Sequence, residues 1–213
     1  MPDRAWKFHL SGCLALDLAN TVSWRASDTP IERLANAEDY VRWARQSRIV
    51  TDRDARELTQ QVQRKPAEAA AAVARVRTLR EAVYRAFSAL ADREDPAESD
   101  LAAINTALSE AMRHVRVARG ADGSFVSVWE KGPPTLSRLF WPAAKSVAEM
   151  LTSSDVGRLK KCGSADCGWL FVDATRNGTR RWCDMRVCGN RAKARRYYRR
   201  QRSATKRRRA RGS

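Results

Sequence analysis

Four cysteines in the last third of this chain constrain its folding more than any other feature. Cys162, Cys167, Cys183 and Cys188 stand in the pattern C-x4-C-x15-C-x4-C. Two close pairs separated by a hairpin-sized insert suit a tetrahedral zinc site, in which four thiolates converge on one ion. The competing interpretation is a set of buried thiols. Residues 156–213 are too few to bury a sizeable core, and modules of that size usually need a metal or disulfides. Four cysteine ligands leave no open position for water, so one structural zinc is expected rather than a catalytic one.

Charge is concentrated in the same segment. Residues 1–155 hold 22 Lys/Arg against 21 Asp/Glu, whereas residues 156–213 hold 19 against 3. The formal net charge of +17 is therefore almost wholly a property of the C-terminal part. A field that local attracts a polyanion. The second cysteine pair runs straight into Cys188-Gly189-Asn190-Arg191-Ala192-Lys193-Ala194-Arg195-Arg196. A metal at Cys188 would fix the start of a helix covered in positive charge, which points to nucleic acid. The alternative is a solvated charged face.

The compartment follows from what the sequence contains. Asp3, Arg4, Lys7 and His9 interrupt the N-terminal stretch, so no secretory signal is expected. Nothing approaches the roughly 20 apolar residues that span a bilayer. The expectation is a soluble, cytoplasmic, nucleoid-associated protein whose thiols stay reduced, which favours metal over disulfides. Cys13 is left over in an apolar context, as a small buried side chain.

Hydrophobic periodicity makes residues 1–155 mostly helical. Residues 6–10 alternate as a short strand, and Leu14, Leu16, Leu18 and Val22 form a buried segment of open type. A helix is expected over 38–47, and Thr51 with Asp54 three residues on resembles a helix start. Val73, Val76, Leu79, Val83, Phe87 and Leu90 recur at helical spacing over 67–91. A further helix is expected over 97–113. Then the period falls to two, and Gly120 to Gly123 separate two strands of a hairpin. Pro133-Pro134 opens a last helix to about residue 151, kinked or broken at Pro142, and residues 152–155 read as a linker.

Within the cysteine module, Leu170-Phe171-Val172 is a short strand, Asn177-Gly178 a turn, and Arg181-Trp182-Cys183 the returning strand. A basic helix follows over 189–201. Knuckle, hairpin, knuckle and helix form a treble-clef-like layout. Trp169 and Trp182 are expected to form the small core beneath the metal. One of Tyr197 and Tyr198 is expected to pack inward. His9, Asn20 and Asn105 are given structural rather than pocket roles.

These residues resemble a known family. Cys162-Gly163-Ser164-Ala165-Asp166-Cys167, Leu170-Phe171-Val172-Asp173, Arg180-Arg181-Trp182-Cys183 and Cys188-Gly189-Asn190-Arg191 look like the CGNR zinc finger. Leu16-Asp17-Leu18-Ala19-Asn20-Thr21-Val22 is similar to the opening motif of the ABATE domain that usually precedes it. The resemblance implies a bacterial transcription regulator, with Cys162, Cys167, Cys183 and Cys188 as zinc ligands and the stretch from Asn190 to Lys193 as a helix start meant for DNA.

The combined expectation is a mainly α (α+β) chain. Residues 1–155 form a mostly helical, ABATE-like domain with a small β-hairpin that senses a ligand or partner. Residues 156–202 form the zinc finger, and residues 203–213 a basic disordered tail. Candidate nucleic-acid contacts are Arg180, Arg181, Asn190, Arg191, Lys193, Arg195, Arg196, Arg199, Arg200 and Arg202, with Lys206, Arg207, Arg208 and Arg209 in the tail. Duplex DNA is the expected partner. RNA, as in a ribosome-associated protein, or RNA polymerase are the alternatives. No enzyme activity is expected. The only histidines are His9 and His114, both outside the finger, and no nucleophile–base pair is evident.

Overall fold

The computed structural model describes residue 8 and residues 11–211, with side chains placed for residue 8, residues 11–199 and residue 201. The strand expected over 6–10 and the role given to His9 lie outside the described residues. Phe8 itself is in no regular element.

The buried opening segment forms α1 (Leu14–Ala19) and β1 (Val22–Ser23), which pairs antiparallel with β2 (Ile31–Glu32). Two helices follow, α2 (Ala37–Gln46) and α3 (Asp52–Arg64). Thr51 and Asp54 cap α3 reciprocally, side chain to backbone in both directions. That satisfies two amides that a helix start otherwise leaves open.

The longest helix of the helical body is α4 (Pro66–Ala91), begun by a proline whose missing N–H is not needed there. Val73, Val76, Leu79, Val83 and Phe87 bury its inner face. α5 (Glu98–Met112) packs beside it and leads into the hairpin β3 (Val115–Arg119) and β4 (Phe125–Trp129). A 3-10 turn (Leu136–Arg138) precedes α6 (Trp141–Thr152), which packs on α1 and α5. Pro142 marks the expected break, between the 3-10 turn and α6, rather than a kink. It sits in the first turn, where its fixed φ helps to start the helix.

The expected linker is built differently. Residues 154–158 form a 3-10 turn against α4 and α6 and lead into β5 (Leu159–Lys161). β5 pairs antiparallel with β6 (Leu170–Val172). The partner of β6 is thus the segment before the first cysteine, not residues 181–183. Leu159 and Leu170 belong to the same apolar core as α4 and α6. The finger's first sheet is continuous with the helical body.

After a five-residue π-turn (Met185–Gly189), α7 (Asn190–Arg211) leaves as a helix polar all round. Its backbone continues helical through residues 203–211, where a disordered arm was expected. Alanine and long basic residues favour helix, and no glycine or proline interrupts them before Gly212. Among the described residues no helix is long and apolar enough to cross a membrane.

Candidate metal centre and nucleic-acid interface

The four cysteines come together. Their sulfurs all lie within 4.8 Å of one another, all four residues are buried, and none forms a disulfide. The Cys167–Cys183 and Cys183–Cys188 sulfur separations are both 3.6 Å. A zinc ion bonded to four thiolates at about 2.3 Å would set them about 3.8 Å apart, so the donor set fits one structural zinc. Phe171 closes the cluster, and Trp169 and Trp182 pack against it as the finger's small core.

Packed this closely, the thiols do not ionise independently. Hydrogen bonds from the Cys167 and Cys183 thiols hold Cys162 far below the ordinary thiol value. The Cys162 contact pushes Cys167 up to about 12 and Cys183 further still. Burial raises Cys188. A divalent cation removes this competition and lets all four carry charge.

Each knuckle has its own reason to fold. In the first, Gly168 takes φ +69°, and an added Cβ would lie 3.1 Å from Arg25 Cβ and 3.2 Å from the Ala26 nitrogen. Glycine is required there because the knuckle presses against the helical body. In the second, Asp184 caps the π-turn by accepting hydrogen bonds from the Arg186 and Val187 amides at 2.6 and 3.1 Å. A Cβ on Gly189 would lie 3.2 Å from Trp182 Cδ1 and would have to displace the exposed Met185 thioether.

Between the knuckles, Asp173 is the organiser that the cysteine pattern does not reveal. It is buried and accepts from Lys160 Nζ at 2.6 Å, the Thr175 hydroxyl at 2.5 Å and the Arg180 amide at 2.9 Å. The Lys160 and Thr175 bonds hold its carboxyl well below the usual carboxylate range.

The first knuckle is seated on the body residue by residue. The Arg25 amide donates to the Cys167 carbonyl at 3.1 Å, and the Tyr84 hydroxyl to that of Gly168 at 2.8 Å. Trp169 Nε1 donates to the Val22 carbonyl at 2.8 Å. The Asn20 side chain both donates to the Leu170 carbonyl and accepts from its amide, each at 2.9 Å. The Asn20 side chain thus completes the edge of the finger's sheet, and it also borders the cavity described below. Asn105 is exposed on α5.

The loop between β1 and β2 is fixed by ions. Arg80, buried in α4, donates twice to the Glu32 carboxylate at 2.6 and 2.7 Å, and Arg25 pairs with Glu81 at 2.6 Å. Burial raises the Glu32 and Glu81 carboxyls, but the Arg80 and Arg25 guanidiniums outweigh it and hold both below the ordinary value. The loop carries Trp24 at φ +54°, a strained conformation for a bulky residue. The Arg191 guanidinium lies 3.9 Å from the centre of its ring. Sequence periodicity gives no hint of Trp24, whose role depends on a left-handed backbone and a contact 167 residues distant.

The candidate nucleic-acid residues divide into two groups. Arg181, Lys193, Arg196 and Arg199 are exposed. Four others make specific contacts within the protein, Asn190 and Arg195 while remaining exposed. Arg180 donates to the carbonyls of Trp182, at 2.9 Å, and Cys183, and its guanidinium covers Phe171. Asn190 donates to the Arg186 carbonyl at 3.1 Å, bracing the π-turn. Arg191 stacks on Trp24, and Arg195 pairs with Asp166 on the first knuckle. Tyr197 and Tyr198 are both exposed, contrary to the expectation that one turns inward, and their rings meet edge to face at 5.7 Å. The side chains of Arg200, Arg202, Lys206, Arg207, Arg208 and Arg209 lie outside the described residues. His114 stands at the base of the hairpin, paired with Glu130 and stacked 3.8 Å from Trp141.

Comparison with known families agrees with this architecture. Residues 12–154 match the family named ABATE, described as "Putative stress-induced transcription regulator". Residues 158–201 match the CGNR zinc finger. No curated protein matches the chain.

Proposed function

Because the chain belongs to the ABATE family and ends in a CGNR zinc finger, we propose that it is a zinc-dependent, DNA-binding transcription regulator. The finger and α7 contact duplex DNA, and the helical body senses a ligand or partner. One observation carries this reading. A cysteine of the metal cluster, Cys188, sits in the turn that opens into α7, and the segment from residue 156 onward holds 19 Lys/Arg against 3 Asp/Glu. A metal there presents a rigid cationic helix, and Lys193 and Arg196 are exposed three residues apart on one face. Arg180 braces the second knuckle, and Arg191 and Arg195 set the helix against the rest of the protein. The reading contains no catalytic step, because four thiolates around zinc leave no position for substrate or water. A protein of this kind acts on the nucleoid, in a compartment that keeps its thiols reduced.

The test is competition of duplex DNA against structured RNA for the zinc-loaded chain, followed by a salt titration. Contact with six to eight phosphates gives a slope of log K against log salt of about −5 to −7. Removing residues 203–213 should flatten that slope and weaken binding to all sequences alike. Preference for RNA over DNA would refute the reading, and an unchanged slope would show that the end of α7 does not touch phosphates.

A further inference from the structure

A cavity of about 200 Å³ lies where the helical body meets the second knuckle. Its walls include Trp24, Trp169 and Val187, and its polar groups include Asp17, Ser23 and Arg33. Cys167, Cys183 and Cys188 also border it. The metal accounts for little of the space, since four sulfurs within 4.8 Å of one another enclose a single ion. An apolar cavity of about 150 Å³ is large enough to hold benzene. The lining is mostly apolar, with two indoles and a few polar groups, the usual character of a small-molecule site. Aromatic walls favour an aromatic guest, through offset or edge-on ring contacts.

The position of the cavity is as informative as its size. Trp24 borders it and also carries Arg191, from the first turn of α7, on its ring. Its φ of +54° is held by a loop that the Arg80–Glu32 and Arg25–Glu81 ion pairs fix in place. Strain sustained in this way gathers at binding and switching sites. Val187 and Asp184, on the far side, belong to the π-turn or its cap, from which α7 starts. Ser23 and Arg33, hydrogen-bonded to each other at 3.0 Å, face the same space from β1 and the residue following β2.

We propose that this cavity binds a small aromatic molecule, of one ring or a fused pair with a hydrogen-bonding substituent, and that the occupant shifts the setting of α7 through Trp24 and the π-turn. The proposal deepens the regulator reading by naming the site and class of its signal, and the effect on DNA rests on that reading. The occupant needs no contact with DNA. It presses on the ring that Arg191 covers and on the turn that orients the helix.

The test uses the zinc-loaded full chain and four probes: phenol, indole, benzoate and benzylamine. Binding is followed by calorimetry and by chemical shifts of the Trp24 and Trp169 indole N–H groups, with no nucleic acid present. At least one probe should bind one to one and shift both indoles. Val187→Trp, at a half-exposed position of the turn, should fill the cavity and weaken that probe roughly tenfold or more while zinc content stays unchanged. Trp24→Asn keeps a residue tolerant of positive φ and should also weaken it. A saturating probe should then change the affinity for DNA in the wild type and not in Val187→Trp. The proposal falls if no probe binds at millimolar concentration, if Val187→Trp binds as tightly as wild type, or if a bound probe leaves DNA affinity unchanged. A chain that binds the probe in the cavity but binds no DNA would confirm the site and defeat the regulator reading instead.

Discussion

The two knuckles of the finger are held in different ways. The first, around Cys162 and Cys167, is bonded to the helical body through Arg25, Tyr84, Val22 and Asn20, and its sheet shares the main core. The second, around Cys183 and Cys188, has its hydrogen bonds within the finger among the described residues. Beyond the sulfurs, the stacking of Arg191 on Trp24 joins α7 to the body, and the Arg195–Asp166 pair joins it to the first knuckle. The metal therefore acts less as the centre of an independent bead than as a fastener between a fixed half and a loose half. It joins the basic helix to the rest of the protein.

Removing the metal should separate the halves most sharply. Structural zinc contributes on the order of 10–16 kcal/mol of apparent binding energy to small fingers. Cys188→Ser, or a strong chelator, should release amides 183–199 to fast hydrogen exchange and abolish the proposed DNA binding. The Leu170 amide, bonded to Asn20, should stay protected. Loss of protection at Leu170 together with the second knuckle would break the comparison and make the finger a single folding unit.

The converse experiment attacks the body. Phe87 is completely buried in α4, and Phe87→Ala should cost about 3–5 kcal/mol, read as a lower thermal midpoint. The fixed half of the finger should melt with the body at the new temperature. A finger sheet that outlasts the body would show that Leu159 and Leu170 are not truly part of its core.

The smallest effect should come from the joint itself. Asn20→Ala leaves the Leu170 amide and carbonyl buried without partners, at a cost of about 1–3 kcal/mol. Zinc should remain bound. Exchange at Leu170 should rise towards that of the second knuckle, narrowing the difference between the halves. Unchanged exchange would mean that Trp169 and Tyr84 suffice to hold the seat.

How much of this was legible in the sequence depended on range. The face of α4, the capping box at Thr51 and the β3–β4 hairpin are local patterns that emerge from spacing, and the zinc ligands emerge from spacing together with the resemblance of the surrounding motif. The partner of β6 does not. Leu159-Lys160-Lys161 is three residues long and mostly charged, so its strand character comes only from pairing with Leu170–Val172. Arg180 read as a phosphate contact because charge is visible in a sequence, whereas the carbonyls of Trp182 and Cys183 that occupy it are not. Arg80 was silent for the same reason, since its burial depends on Glu32, 48 residues away. Nothing local in the sequence names the partner of Asn20, Leu170, which lies 150 residues away.

The two-way bond between Asn20 and Leu170 also sets a limit on exchange between proteins. One side chain completes the edge of the finger's sheet, so the body behaves as a foreign strand added to the module. A chimera that replaced residues 158–211 with another zinc finger would face Asn20, Tyr84 and Trp24 with the wrong counterparts. One that replaced only residues beyond Arg195 would keep the seat, the metal and the joint. The outer turns of α7 can therefore be exchanged without disturbing the seat, whereas its first turn and the opening segment form one joint.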